Sequence, residues 1–214
     1  MANLKTIYVC SNCDAQFPKW SGRCLECGSW GTLTEQIKDQ KESARANLSK
    51  LGGAELLDLR EIKSDQMPRL LTGLTEVDGV LGGGLVPGSL ILLAGEPGIG
   101  KSTLVAQIAD ALGKGAEIVE KKSVVIYASG EESARQVKDR FERLGGKLDN
   151  LRFISETNVE KIIATATKVE PQLLIIDSIQ TVYSALVPSE AGSLNQIRAA
   201  AVKLLELAKG AGVT

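Results

Sequence analysis

Residues 89–103 read SLILLAGEPGIGKST, an apolar run that breaks into glycines, a proline and one lysine before a helical pattern begins. Glycine weakens strands and helices alike, so this cluster marks a place where something approaches the backbone. Gly95, Gly100, Lys101 and Ser102 fit G-x-x-x-x-G-K-[ST], the phosphate-binding loop. In such a loop, here Gly95, Glu96, Pro97, Gly98, Ile99 and Gly100, consecutive backbone N–H groups turn inward around an anion. The dipole of the following helix adds to that field. Lys101 is then expected to reach the β- and γ-phosphates of ATP, and the Ser102 hydroxyl to ligate Mg²⁺. The competing reading is a strand–helix turn that binds nothing. A strand over 89–94 and a helix over roughly 101–112 supply the context that the motif requires.

The chain has 214 residues, 43% of them hydrophobic, which suits one ordinary domain plus something small. Its formal net charge is −1, so no global basic field advertises nucleic acid, and any DNA contact must be local. Histidine is absent, which removes imidazole catalysis and histidine metal ligands. The start, MANLKTIYVC, lacks an apolar signal core, and the apolar runs are shorter than a bilayer span. A soluble, cytoplasmic protein is expected.

All four cysteines lie in the first 27 residues, as Cys10-x-x-Cys13, ten residues, then Cys24-x-x-Cys27. Two such knuckles can close a tetrahedral thiolate site around Zn²⁺, and a nearly coreless segment of this size needs such a staple. Disulfides are the main alternative, but nothing points to an oxidising compartment. A redox C-x-x-C would not need a second copy nearby. Tyr8, Phe17, Trp20 and Trp30 are expected to supply the aromatic packing of this finger, although the tryptophans could stack on bases.

The organisation that follows is a four-cysteine finger over 1–36, a charged linker over 37–66, and an α/β domain over 67–214. Within the last, apolar runs alternate with helical stretches. Strands are expected at 89–94, 123–129, 151–155 and 172–177, with a long helix over 193–210 closing the series. Continuous apolar strands alternating with helices indicate a mostly parallel sheet covered on both faces. Capping boxes are expected at Ser129 with Glu132, Thr157 with Glu160, and Ser193 with Gln196.

Asp177 falls at the carboxyl end of the strand QLLIID, where phosphate-loop enzymes keep an acid that orients Mg²⁺ or its waters. Without the loop it would read as a turn or cap residue. In YASGEES the capping box assigns Glu132 a structural task and leaves Glu131 at a strand end, where open α/β sheets gather ligands. A carboxylate there could polarise the water that attacks the γ-phosphate. Equally, both glutamates could simply favour the helix N-terminus.

The finger, VLGGGLVPGS, GEPGIGKST, YASGEES and LLIIDSIQT occur in this order, and together they resemble the bacterial RadA (Sms) family. The resemblance spans nearly the whole chain. It implies a RecA-like phosphate-loop core and a hexameric, DNA-stimulated ATPase that acts in DNA repair and homologous recombination. It further implies branch migration on single-stranded or branched DNA, alongside a RecA-type recombinase. By the family pattern Glu131 is the catalytic base, Lys101 and Ser102 hold phosphate and Mg²⁺, Asp177 supports the metal, and Thr103 adds a phosphate contact.

Two departures accompany the resemblance. An arginine often precedes the VLGGG run in that family, whereas this chain has Gly79. Its relatives also continue with the rest of the core, a K-N-R-F-G motif and a Lon-protease-like domain. The chain is therefore expected to match an N-terminal half, with an incomplete sheet and poor hydrolysis on its own. DNA contact is expected in QTVYSALVPSEAGSLNQIR, with Gly192 giving flexibility and Arg198 the cation; an ordinary surface loop is the alternative. A nucleotide-driven assembly switch of the KaiC type is the competing function, and a catalytically dead binding module a third.

Overall fold

The computed structural model describes residues 5–38, 56–58, 60–61, 68–115 and 124–214. Most of the linker expected over 37–66 lies outside these described residues. Two compact units result, one holding the finger and one holding the α/β domain.

The finger is a three-stranded antiparallel sheet in which β1 (Lys5–Cys10) lies between β2 (Gln16–Phe17) and β3 (Leu33–Lys38). Cys10 pairs with Leu33 across β1 and β3. Buried Cys10, Cys13, Cys24 and Leu33 form its small core, with Tyr8 and Phe17 packed against it. Trp20 and Trp30 depart from expectation, being 62% and 75% exposed. Their rings lie beside Gly22, where an added methyl would meet both at 3.7–3.9 Å. The thiolate core is too small to cover two indoles, so they remain outside.

In the second unit a short helix α1 (Thr75–Val80) precedes α2 (Lys101–Gly115), β4 (Val125–Ser129) and α3 (Ala134–Arg143). Then come β5 (Leu151–Ile154), α4 (Val159–Val169), β6 (Leu173–Asp177) and α5 (Leu194–Ala211). The strands are parallel in the order β5-β4-β6, with β4 fully buried. Alternation along each strand sorts the core into two layers. Val125, Tyr127, Leu173 and Ile175 face Ala106, Ala109 and Leu112 of α2 and Val137 and Phe141 of α3. Ala128, with Leu174 and Ile176, faces Val159 and Ile162 of α4 and Ala200 and Leu204 of α5. The expected α/β class with a parallel sheet covered on both faces is what forms.

Residues 89–94 are the exception: this apolar run joins no strand ladder. Leu90 to Leu93 are 43–79% exposed, with Leu92 the most open. An apolar run becomes a strand only when a neighbouring backbone pairs with it. Here the edge of β6 is met by Thr214, whose carbonyl accepts from Leu174 N–H at 2.8 Å and whose N–H donates to Gln172 at 3.3 Å. Leu90 instead borders an open apolar groove with Leu174, Ile176, Leu207 and Val213.

Two capping boxes also shift. The box of α3 is Ser133 with Gln136, and α4 is capped by Asn158, whose side chain accepts from Lys161 N–H. Glu132 and Glu160 are therefore not capping residues. The first expected box lay early because Ser129 is used in the turn after β4, and the second missed the true cap by one position, Thr157 standing beside Asn158. The last helix does begin directly after Ser193, but the Gln196 amide serves a loop. Its oxygen accepts from Ser184 N–H at 2.7 Å, and its nitrogen donates to the Val187 and Ser189 carbonyls at 2.9 Å.

Gln196 is 1% exposed, so its removal leaves buried backbone groups unpaired. Gln196→Ala is expected to destabilise the domain by about 1–3 kcal/mol, read from denaturant unfolding. A loss near zero would show that water replaces the amide.

Candidate functional site

The phosphate loop runs from the unpaired segment into α2, and its residues from Gly95 to Gly100 are exposed. Gly98 and Gly100 have φ of +80° and +101°, which L side chains rarely adopt, although neither lacks space. The reason for glycine here is backbone shape. Lys101 Nζ donates to the Gly95 and Glu96 carbonyls at 2.9 and 2.7 Å, drawing the loop around its own cation. No acidic residue sits in the first turn of α2, so the positive end of that helix is uncompensated. Ser102 and Thr103 lie in this first turn.

The direction of α2 decides where that positive end points. Its C-terminal end is fixed near the start of β5, where Asn150 Nδ2 donates to the Gly113 carbonyl at 2.9 Å. The helix packs across β4, β5 and β6 and is about 22 Å long at ~1.5 Å per residue. Lys101 and Ser102 therefore lie toward the carboxyl ends of the strands.

That edge also carries the acids. Ser129 of β4 is in register with Asp177 of β6. The Ser129 hydroxyl accepts from the N–H groups of Glu131 and Glu132 at 3.2 and 3.1 Å, which shapes the turn after β4. Glu131 accepts from the Ser178 hydroxyl at 2.7 Å, joining the turns that follow the two strands. Glu132 faces elsewhere and forms an ion pair with Arg140 of α3. Tyr127 donates to Asp177 Oδ2 at 2.5 Å. Burial first, then this hydrogen bond, pushes the Tyr127 phenol well above the usual tyrosine range, so the proton stays on.

Gly130 was missed as a site residue. A methyl added there would stand 2.3 Å from Thr157 Cγ2 and 2.9 Å from Thr181 Oγ1. Its setting in YASGEES was the available signal. Tyr127, the one polar-tipped ring in strand β4, was a second; Arg140 and Ser178 gave none.

In the finger, the ligand sulfurs of Cys10, Cys13, Cys24 and Cys27 all lie within 4.8 Å of one another. Cys10 and Cys27 are 3.7 Å apart, and Cys13 and Cys24 3.5 Å. A tetrahedron with Zn–S arms of ~2.3 Å has edges of about 3.8 Å, so the donor set fits. The two knuckles repeat one hydrogen-bond pattern. Cys10 N–H donates to the Ala15 carbonyl and the Cys10 carbonyl accepts from Asp14 N–H; Cys24 N–H donates to the Ser29 carbonyl and the Cys24 carbonyl accepts from Gly28 N–H. Asp14 and Gly28 take positive φ at matching places.

The thiols are not alike. Hydrogen bonding with Ser29 brings Cys27 down to about 5. Burial pushes Cys13 up to about 12. Burial also raises Cys10, but hydrogen bonds with Thr32 and the Asn12 amide outweigh it and leave that thiol lowered. Four thiolates this close repel one another unless a cation lies between them.

Comparison with known proteins matches both units of the chain to known families. Residues 57–214 match a family model described as an AAA domain. Residues 8–35 match a zinc-ribbon model described as a rubredoxin metal binding domain. The DNA repair protein RadA of Pseudomonas aeruginosa is 42% identical over 99% of this chain, and that of Aquifex aeolicus 43% over 98%. The chain belongs to the RadA family. It spans about half the length of these curated relatives, 46% and 45% respectively. The KaiC-like protein PH0186 of Pyrococcus horikoshii shares the fold of this RadA-family chain, with a TM-score of 0.54 and 24% identity. That alignment covers 69% of this chain and 70% of the other.

The loop expected to meet DNA is strapped down. Tyr183 N–H donates to Thr157 at 2.8 Å, Val159 N–H to Tyr183 at 2.9 Å, and Ser184 pairs with Glu160. Gly192 has φ of +80°, and a methyl there would meet the Gln180 carbonyl at 3.3 Å, so it sets a turn rather than supplying looseness. At Gly79 an added methyl would meet nothing within 4 Å, so an arginine at that position would find open space. No helix of the described residues is long and apolar enough to cross a membrane.

The purified protein is expected to carry one zinc ion per chain, lost with Cys24→Ser, as read by elemental analysis. Iron in its place, or no metal in a folded finger, would count against zinc. Trp20→Ala and Trp30→Ala are expected to leave metal content intact and to shift stability by no more than about 0.5 kcal/mol. A larger loss would mean that the indoles support the finger after all.

Proposed function

We propose that this chain forms the nucleotide-binding part of an ATP hydrolase acting in DNA repair and homologous recombination. The observation that carries the reading is the single sheet edge shared by the N-terminal end of α2, Glu131 and Asp177. In the proposed site the N–H groups of residues 95–100 and the start of α2 bind the phosphates. Lys101 exchanges its two carbonyl partners for the β- and γ-phosphate oxygens. Thr103 adds a hydroxyl.

Glu131 acts as general base toward the attacking water, and Ser178 fixes one of its oxygens. The Ser102 hydroxyl and the Asp177 carboxylate are hard oxygen donors that suit Mg²⁺. Bound there with ATP, Mg²⁺ would supply charge neutralisation for the β- and γ-phosphates. Glu132 is unsuited to the base role, because its carboxylate is committed to Arg140.

DNA dependence, branch migration, a homohexameric assembly and a RecA-type recombinase partner extend this reading through the RadA relatives. The loop between β6 and α5 is the proposed DNA contact. The reduced cage of thiolates fits a cytoplasmic setting. With only part of the relatives' length present, we expect weak turnover from this chain alone, since RecA-like motors borrow a cation from a neighbouring subunit.

Lys101→Ala is expected to abolish or sharply weaken nucleotide binding. Glu131→Gln is expected to bind ATP normally and to lose at least about 10²-fold in hydrolysis. Titration with a fluorescent ATP analogue and phosphate-release assays, with and without single-stranded DNA, separate these effects. Unchanged binding in the lysine variant would remove the phosphate-loop assignment. Turnover that ignores DNA would favour an assembly switch over a motor.

A further inference from the structure

Asp177 is not alone at the strand end. Parity places Tyr127 and Asp177 on the same face of the sheet, the one covered by α2 and α3. Arg140 extends from α3 into this layer with its side chain only 14% exposed. It donates to the Tyr127 hydroxyl at 3.2 Å, stands 4.0 Å from Asp177 Oδ2, and is ion-paired with Glu132. Tyr127 is completely buried, and its ring meets Phe141 edge-on at 6.1 Å.

The direction of this chain of contacts is fixed by chemistry. A guanidinium has donors and no acceptor, so the Tyr127 oxygen must accept from Arg140. A phenol has one proton, which must then go to Asp177 Oδ2. That oxygen is held by Tyr127 and faces the nearby Arg140 charge, while Oδ1 has no protein hydrogen bond among the described residues. The carboxylate thus has one tethered oxygen and one unused oxygen.

We propose that Tyr127 and Arg140 are positioning residues for Asp177. Anchored by Glu132, they orient the carboxylate so that Oδ1 is presented to the magnesium ion or its waters. The inference rests on the reading of Asp177 as the metal-orienting acid. Neither residue touches nucleotide; each acts through Asp177. Groups behind a ligating carboxylate commonly matter nearly as much as the ligand, because they decide its direction and its freedom to rotate.

The test measures binding of a non-hydrolysable fluorescent ATP analogue against Mg²⁺ concentration, together with thermal melting. Tyr127→Phe removes one hydroxyl and keeps the ring against Phe141. It is expected to raise the Mg²⁺ needed for half-maximal binding about tenfold, while metal-free binding stays as in the parent. Arg140→Ala should move the Mg²⁺ dependence the same way, with Arg140→Lys recovering part of the loss. Glu132→Gln should give a smaller shift, because Arg140 keeps its bond to Tyr127.

A merely structural role would instead weaken metal-free and metal-bound binding alike, in step with any fall in melting temperature, and would overturn the proposal. So would an unchanged Mg²⁺ dependence in Tyr127→Phe. Lys101→Ala serves as the reference. If it binds the analogue as the parent does with and without Mg²⁺, the nucleotide site itself is misread. If it fails while Tyr127→Phe matches the parent, only the positioning role falls.

Discussion

Parallel pairing of β4 with β6 brings Ser129 opposite Asp177 and sets the layout of everything at that sheet edge. A slip of one residue would send Asp177 to the layer under α4 and α5, away from Tyr127 and Arg140. Both faces of β4 are buried, so the register is held by apolar packing on each side rather than by the polar groups at its end. The grouping of polar side chains at this sheet edge is therefore a by-product of core packing: Val125 and Tyr127 fit against α2 and α3, and the strand end follows. Glu131 is one turn further on, tied to the partner strand's turn through Ser178.

The finger follows a different logic. Its buried set is small and consists mostly of cysteine, so apolar burial contributes little. The two knuckles shape themselves through backbone hydrogen bonds, and the sulfurs converge as a result. Convergence without a cation is electrostatically unfavourable, which makes metal and fold parts of one equilibrium. The exposed tryptophans fit this account, since a fold held by thiolates has no need of them inside.

Much of this was legible in the sequence because it rests on local pattern. The spacing of cysteines, the glycine–lysine loop and the apolar runs at 125–129 and 173–177 each specify their own geometry. Residues 89–94 looked like a strand by the same criterion and did not form one, because pairing needs a neighbour that the run itself cannot encode. The capping box of α3 was displaced because Ser129 was spent on the turn that holds Glu131 and Glu132, leaving Ser133 to start the helix. Arg140 was invisible for another reason. Its partners lie 8, 13 and 37 residues away, and only the folded sheet brings them together.

Gly130 has no room for even one methyl between Thr157 and Thr181. Those threonines belong to the segments that follow β5 and β6, while Gly130 follows β4. Three chain segments thus meet with no free volume among them, and close-packed matter transmits displacement instead of absorbing it. They form one mechanical unit: a push on any one of them is delivered to the other two. A load on the loop after β6 would reach the turn that carries Glu131 without needing any bond to break.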